Sequence, residues 1–377
     1  MPKPRLVVHI GLPKAGSTFI QRAAKLCRRA MLREGIVFID YRRRLDGITS
    51  AVTADAVSED AKRDLHQTLG DLQRSHGSAR CFFLSNEALC GNMSQGEGNA
   101  AIIADALHDV SAEFETEILV FLRRQDALLE AMYTQHVVGG GSMDFARFLA
   151  DVPLDCLNYK VLLDTYADLF SVERIHVRRH ERRFLATRGR LIEIVAEIIH
   201  SNALADVDPG ALGKSNRGLT RQGLEVMRLT NMALRTDQER LVVARIMQDS
   251  NAKSHGDSYS YLSPAQRQSI MSKFEESNRA VAFSYLRPSE DSLFDTAIDD
   301  SWAEFPGLTP NDLAVVLMCS IANVKVRQYD DDQALYSVRL ARIVEQRVAR
   351  ICTNRPWLEN AARFLGRRFG ILSEYER

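Results

Sequence analysis

The sequence has little glycine and proline and no excess of charge of either sign. Of its 377 residues, 21 are glycine and 10 are proline, which excludes a collagen-like or low-complexity chain. Lysine and arginine together number 49, as do aspartate and glutamate, so no net field favours nucleic acid or an anionic membrane. The composition is that of a globular protein long enough to bury a substantial core.

Cysteine is also scarce, and the apolar runs are short. The six cysteines form no Cys-x-x-Cys pair, which disfavours a disulfide framework or a zinc site and favours a reducing compartment. The run 6–10 is too short for a signal peptide, and 313–324 is too short to span a bilayer. We therefore expect a cytoplasmic protein with no transmembrane segment.

Short β-branched runs alternate with longer helical patterns over the first half of the chain. Five of these runs are apolar on both faces, as expected for parallel strands covered by helices on both sides: 5–10, 35–39, 80–84, 117–122 and 174–177. One helix is predicted from 17 to 33, and helical patterns continue from about 190 to 287. The pattern predicts an α/β protein whose five-stranded parallel sheet is flanked by helices, in an arrangement similar to that of nucleotide kinases.

A domain boundary is predicted at Arg287 and Pro288, where an acidic stretch follows. Residues 1–287 would form the α/β domain, and residues 288–377 a helical carboxyl-terminal extension. Within the extension, Thr309 followed by Pro310 has the pattern of a helix start, and 340–351 has that of an amphipathic helix. The apolar stripe of that helix must be covered by the first domain, by a second copy of the chain or by a membrane surface.

The strongest local motif follows the first predicted strand. A turn that begins at Gly11 and ends at Gly16 leads into Ser17 and Thr18 at the start of a helix. Such a turn directs backbone N–H groups and the positive end of the helix dipole at one point, which suits a phosphate. The glycine spacing equals that of the Walker A motif, but Ser17 stands where that motif has lysine, and the cation is Lys14 inside the loop. A P-loop kinase is therefore an alternative that lacks its lysine.

The segment Pro13-Lys14-Ala15-Gly16-Ser17-Thr18 resembles the 5′-phosphosulfate loop of sulfotransferases that use 3′-phosphoadenosine 5′-phosphosulfate (PAPS). Segments 119–135, 214–220 and 262–285 resemble later parts of the same family, in particular of its bacterial carbohydrate-type members. The resemblance thus covers roughly residues 5–287. It implies transfer of a sulfuryl group from PAPS to a hydroxyl of a carbohydrate or glycolipid acceptor, leaving adenosine 3′,5′-bisphosphate.

The resemblance assigns cofactor-binding roles to the loop residues Pro13, Lys14, Ala15, Gly16, Ser17 and Thr18, with no metal ion. Lys14 would also be catalytic, as a mobile point charge that neutralises the leaving phosphate oxygen.

Arg123 and Arg124 follow a predicted strand, at the sheet edge where ligands of open α/β folds bind. The resemblance implies that they hold the 3′-phosphate, although Arg124 could instead pair with Asp126 or Glu130. The family has a serine eight residues after the arginine, and this sequence has Ala131. That departure leaves open a catalytically silent nucleotide-binding protein of the same fold.

Glu87 is the candidate general base for the acceptor hydroxyl. It follows the strand 80–84, near the position where the family carries histidine or glutamate. Alternatively, Ser85 and Glu87 together form a cap for the next helix. The basic cluster 178–183, which contains His180, is interpreted as a solvated helix start with local salt bridges, and less favourably as a groove for an acidic substrate.

Overall fold

The computed structural model describes residues 3–12, 14–40, 52–53, 56–91, 98–181, 184–185, 187, 189–212, 219–251, 260–286, 292–298, 302–310 and 312–313. The chain divides into two compact units. The first draws on segments 1–131, 151–215 and 264–299, and the second on 132–150, 216–263 and 300–377. The boundary predicted at Arg287 and Pro288 and the helix predicted over 340–351 lie outside the described residues. The division into a domain 1–287 and an extension 288–377 stays a prediction.

A five-stranded parallel sheet forms the centre of the first unit and confirms the predicted fold class. Its strands have the order β2-β5-β1-β6-β7, and every neighbouring pair is parallel. Along the chain the strands are β1 (Arg5–His9), β2 (Ile36–Ile39), β3 (Val52–Thr53), β4 (Ala56–Val57), β5 (Cys81–Ser85), β6 (Glu115–Leu122) and β7 (Ile175–Arg179). The sequence did not predict β3 and β4, which form a separate antiparallel pair.

Burial along the central strands shows that both faces of the sheet are covered. All residues of β2 and β5 are buried, and so are four of the five residues of β1. Because successive side chains of a strand point to opposite faces, burial of consecutive residues requires cover on both sides. The continuous apolar runs therefore predicted a sheet between helical layers correctly.

The helices of the described residues follow the predicted pattern: seven lie between strands along the chain, and the six from Arg190 onward follow β7. They span Ser17–Leu26, Arg28–Arg33, Glu59–Ser75, Gly98–Val110, Gln125–Val138, Phe145–Asp151, Tyr159–Phe170, Arg190–Ile199, Asn202–Ala205, Arg221–Asn231, Asp237–Asn251, Pro264–Lys273 and Glu275–Tyr285. The prediction of one helix over 17–33 was wrong, because the chain leaves helical geometry at Cys27, where ψ is 11°. The thiol of Cys27 contacts the Ala23 carbonyl oxygen at 3.2 Å, beside the backbone hydrogen bond from the same residue.

The second unit has an aromatic core of its own. The ring of Tyr133 lies 5.1 Å from that of Phe145, 5.3 Å from Phe148 and 4.8 Å from Tyr261. In another part of this unit, Thr309 and Asp312 form the predicted helix start. The Asp312 carboxylate accepts from the backbone N–H of Thr309 at 2.8 Å, and the Thr309 hydroxyl accepts from that of Asp312 at 3.2 Å.

One ion-pair network crosses three strands of the sheet in the first unit. The guanidinium of Arg5 on β1 donates to both carboxylate oxygens of Glu117 on β6, at 2.6 and 3.0 Å. Nε2 of His176 on β7 lies 2.7 Å from the same carboxylate. Although burial opposes ionisation, the hydrogen bonds from His176 and Arg5 lower the pKa of Glu117 to about 2. The network ties β1, β6 and β7 together through one carboxylate.

We expect Glu117→Gln to lower the free energy of unfolding at pH 7 by up to about 3 kcal/mol, the linkage value of such a pKa shift. Because the folded-state pKa of Glu117 is lowered, the stabilisation is fully present above the unfolded-state pKa of 4.5. It is lost as the pH falls through the folded-state pKa of about 2. Urea unfolding should therefore show a gap between wild type and variant that narrows from pH 7 to pH 3.

The matched control is Glu115→Gln on the same strand, because Glu115 is exposed. Its effect should stay within about 0.5 kcal/mol. If the two variants lost equal free energy of unfolding, the role of the Glu117 network would be contradicted. A difference between wild type and Glu117→Gln that does not change with pH would contradict it as well.

Candidate functional site

The loop after β1 is a tight turn that ends at an uncapped helix start. Lys14 and Gly16 both have left-handed backbone conformations, with φ of 59° and 91°. The Gly16 carbonyl accepts from Phe19 N at 2.9 Å and Ile20 N at 3.1 Å, and no side chain caps the helix Ser17–Leu26. The positive end of the helix dipole therefore faces the loop, which favours an anion there.

Gly16 has neither the conformation nor the room for a side chain. A Cβ atom at this position would lie 2.4 Å from Cδ2 of Leu191 and 3.7 Å from Nε2 of His180. The loop is thus packed against the start of the helix Arg190–Ile199 and against the residue that follows β7. The left-handed φ favours glycine, and a Cβ atom would in addition force the Leu191 side chain to move.

Glu87 lies at the loop, because β5 and β1 are neighbouring parallel strands that end at the same edge of the sheet. The buried hydroxyl of Ser17 donates to Oε2 of Glu87. The Ser85 cap does not form. Instead, Oδ1 of Asn86 accepts from the backbone N–H of Ala88 at 2.8 Å, at the start of the short 3₁₀ turn Glu87–Cys90. The capping interpretation was therefore wrong, and the exposed Glu87 carboxylate belongs to the loop's surroundings.

Arg123 reaches the loop from the opposite side. It directly follows β6, and its Nη1 donates to the backbone carbonyl of Lys14 at 3.3 Å. The hydroxyl of the buried Tyr159 donates to the Arg123 carbonyl and fixes the backbone there. Burial lowers the pKa of Arg123, but an arginine remains charged at neutral pH. The loop thus has a fixed positive charge beside it.

Arg124 points elsewhere. Its guanidinium pairs with Asp126 through two contacts of 3.2 Å, and its Nη1 donates to the carbonyls of Asp295 at 2.7 Å and Ala297 at 2.9 Å. Asp126 is 2% exposed and also accepts from Arg267 at 2.8 Å. These contacts are the alternative that the sequence left open for Arg124. Its predicted contact with a 3′-phosphate stays a prediction.

The remaining predicted residues are placed as follows. Lys14 is exposed, Ala15 is buried and Thr18 is half-buried, all within the loop and the first helical turn. Pro13 lies outside the described residues, as do residues 214–218 of the segment that resembles the family. Ala131 is buried within the helix Gln125–Val138.

His180 is a residue of this region that sequence reasoning placed wrongly. The cluster is no solvated helix start, because Arg178 and Arg179 are the last residues of β7 and the His180 N–H donates to the Leu122 carbonyl at 2.6 Å. Burial, assisted by the charge of Arg123, lowers the pKa of His180 to about 4. The signal that could have found it is its place at the carboxyl end of a parallel strand.

Two further classes of feature are absent from the described residues. No three histidine, cysteine, aspartate or glutamate side chains are grouped there so that they could hold a metal ion. None of the helices within the described ranges combines the length and the apolar character needed to cross a membrane.

Comparison with known proteins gives a distant structural similarity. No family model matches the chain, and no curated protein matches it. Among solved structures, the chain is similar to the crystal structure of a sulfotransferase from Alicyclobacillus acidocaldarius, with 12% sequence identity and a TM-score of 0.37. The match covers 62% of this chain and 95% of that one. This likeness does not by itself assign a function to the chain.

We expect Gly16→Ala to destabilise the protein by more than the roughly 1–2 kcal/mol that a left-handed conformation costs a residue with a Cβ, because the methyl group would also overlap Leu191. Thermal unfolding measures the loss. The control is Gly77→Ala, where the nearest atom to a new Cβ is 4.0 Å away and φ is not left-handed. If the two substitutions shifted the melting temperature equally, the described loop geometry would be wrong.

Proposed function

We propose that this protein is a sulfotransferase that moves a sulfuryl group from PAPS to a hydroxyl group of an acceptor. The observation that carries the proposal is the pair of contacts at one loop. Arg123 donates to the carbonyl of Lys14 from one side, and Glu87 accepts from Ser17 on the other. A cationic anion-binding turn and a carboxylate are thereby brought together, as a transfer from an anionic donor to a hydroxyl requires.

Lys14 is the proposed electrostatic catalyst. It is exposed, and no carboxylate of the described residues lies within ion-pair distance of its ammonium group. As the bond from sulfur to the bridging oxygen breaks, negative charge develops on the phosphate oxygen that leaves. An ammonium group on a flexible side chain can follow that charge, which stabilises the transition state more than the bound donor.

Glu87 is the proposed general base. The acceptor oxygen forms a new bond to sulfur and loses its proton to the carboxylate, while adenosine 3′,5′-bisphosphate departs with the bridging oxygen. The Ser17 hydroxyl donates to Oε2 of Glu87, and a carboxylate can accept from the acceptor hydroxyl through its other oxygen. The exposed position of Glu87 at the carboxyl edge of the sheet leaves it accessible to an acceptor.

Binding of the donor is assigned to the loop and to Arg123. The turn from Pro13 to Thr18 would hold the 5′-phosphosulfate through backbone N–H groups and hydroxyls, without a metal ion. Arg123 would pair with the 3′-phosphate. The resemblance gives Arg124 the same role, but its guanidinium contacts Asp126 and the carbonyls of Asp295 and Ala297.

The acceptor class and the setting belong to the proposal as well. The resemblance to bacterial carbohydrate-type sulfotransferases favours a glycan or glycolipid acceptor. A cytoplasmic location and a homo-oligomer formed through the carboxyl-terminal helices stay predictions.

A catalytically silent nucleotide-binding protein is the second candidate, because Ala131 cannot donate the hydrogen bond that a serine would give to the 3′-phosphate.

We expect adenosine 3′,5′-bisphosphate to bind in the presence of a chelator and more tightly than ATP, since Arg123 and the loop need no metal ion. Arg123→Ala should weaken binding about tenfold to a hundredfold, the effect of losing hydrogen bonds to a charged group. Calorimetry measures both affinities. The control is Arg63→Ala, an arginine whose side chain is 72% exposed on another helix. A strict magnesium requirement with a preference for ATP would favour a kinase and refute the proposal.

We expect Glu87→Gln to lower the turnover of labelled PAPS by about 10²–10⁴, the usual contribution of a general base, with little change in product binding. Glutamine keeps the hydrogen-bond acceptor for Ser17 but cannot take a proton. The control is Glu113→Gln, an exposed glutamate remote from the loop in sequence. Near-normal turnover of the Glu87 variant would show that another group is the base, whereas a wild type that binds but never turns over would favour the silent protein.

A further inference from the structure

His9 is a buried polar residue beneath the loop that the proposed mechanism does not use. It ends β1, its side chain is 0% exposed, and its ring meets that of Phe121 edge-on at 5.6 Å. Nδ1 lies 2.8 Å from the hydroxyl oxygen of Ser85. Nε2 is buried without a hydrogen-bond partner among the described residues. A buried polar atom without a partner is costly, so its retention calls for an explanation.

The unpartnered nitrogen lies against the first glycine of the loop. A Cβ atom on Gly11 would be 3.0 Å from Nε2 and 2.9 Å from Cε1 of His9. The same Cβ position is 3.5 Å from Cβ of Ser17. The edge of the imidazole therefore forms the floor of the turn, next to the residue that opens the helix. Only a residue without a side chain at position 11 allows this approach.

Burial favours a neutral imidazole, and the Ser85 contact is compatible with a proton on Nε2. Burial lowers the pKa of His9 to about 3, so the ring is uncharged at neutral pH. If the Ser85 hydroxyl donates to Nδ1, the ring proton is on Nε2 and faces the loop. That tautomer presents a donor to a site where helix dipole and Arg123 already favour an anion. A neutral donor serves there without the cost of burying a charge.

We propose that His9 is a further ligand-binding residue of the anion site: its Nε2–H donates a hydrogen bond to the phosphate group held in the loop, directly or through one ordered water, and Ser85 fixes the tautomer. The inference rests on the proposed function in that the phosphate is the 5′-phosphate of the nucleotide. It predicts that His9 contributes to binding of the 5′-phosphate and not to binding of the 3′-phosphate.

Two substitutions distinguish the contributions of the two ring nitrogens to ligand binding. The amide of asparagine at position 9 occupies the place of Nδ1, and the amide of glutamine reaches that of Nε2. We expect His9→Asn to weaken the binding of 5′-AMP about tenfold to a hundredfold, whereas His9→Gln stays within a few-fold of wild type. Binding of 3′-AMP should be the same in all three proteins. If only the contact between Nδ1 and Ser85 matters, His9→Asn should bind 5′-AMP more tightly than His9→Gln.

A measurement on the wild-type protein does not depend on how the variants fold. In protein with ¹⁵N-labelled histidine, Nε2 of His9 should be the protonated nitrogen, and its resonance should shift on addition of 5′-AMP while that of Nδ1 stays. An Nε2 signal that 5′-AMP does not move would overturn the proposal for His9.

The outcomes distinguish this inference from the proposed function. Binding of 5′-AMP that is lost in His9→Asn and kept in His9→Gln supports the role of His9, even if PAPS is not turned over. Equal 5′-AMP affinities for wild type and both variants refute it, even if PAPS is turned over.

Discussion

The parallel pairing of β5, β1 and β6 is the constraint on which the candidate site depends. The register places His9 opposite Ser85 on one side and opposite Leu119 on the other. Because β6 continues three residues beyond that point, to Leu122, Arg123 lies far enough along to reach the loop that follows β1. On the other side β5 ends level with β1, so Glu87, two residues later, meets Ser17 at the start of the first helix. The register of these three strands thus places the Arg123 guanidinium and the Glu87 carboxylate at the same turn.

Side chains pack closely against the two glycines of the loop. The ring of His9 lies under Gly11, and Leu191 lies against Gly16. The left-handed conformations of Lys14 and Gly16 then direct the chain into the helix start. This packing explains why the two glycines are placed where they are, beyond their general flexibility. Phosphate binding by this turn is a proposal, and the tight packing of the turn on the sheet edge supports it.

Two sets of charged residues in the first unit have different surroundings. Glu117 and Asp126 are each held by two basic side chains, and these networks fasten strands and helices together. Lys14 and Arg123, in contrast, lie within ion-pair distance of no carboxylate among the described residues. Two positive charges without a carboxylate at ion-pair distance among the described residues thus lie at the loop. An anionic ligand is the partner that such a distribution favours.

The sequence by itself determined the five parallel strands and the helices that flank them, because apolar runs are local properties of the chain. The glycine spacing predicted an anion-binding loop, and that role stays a prediction. It did not determine the break at Cys27 or the choice of Asn86 over Ser85 as cap, where small differences in local hydrogen bonding decide. Only the tertiary structure decided which side chains meet: His9 and Ser85 are 76 residues apart, and Arg124 and Asp295 are 171 apart. Such partners depend on strand order and register, which arise from packing of the whole sheet and leave no pattern in either segment alone.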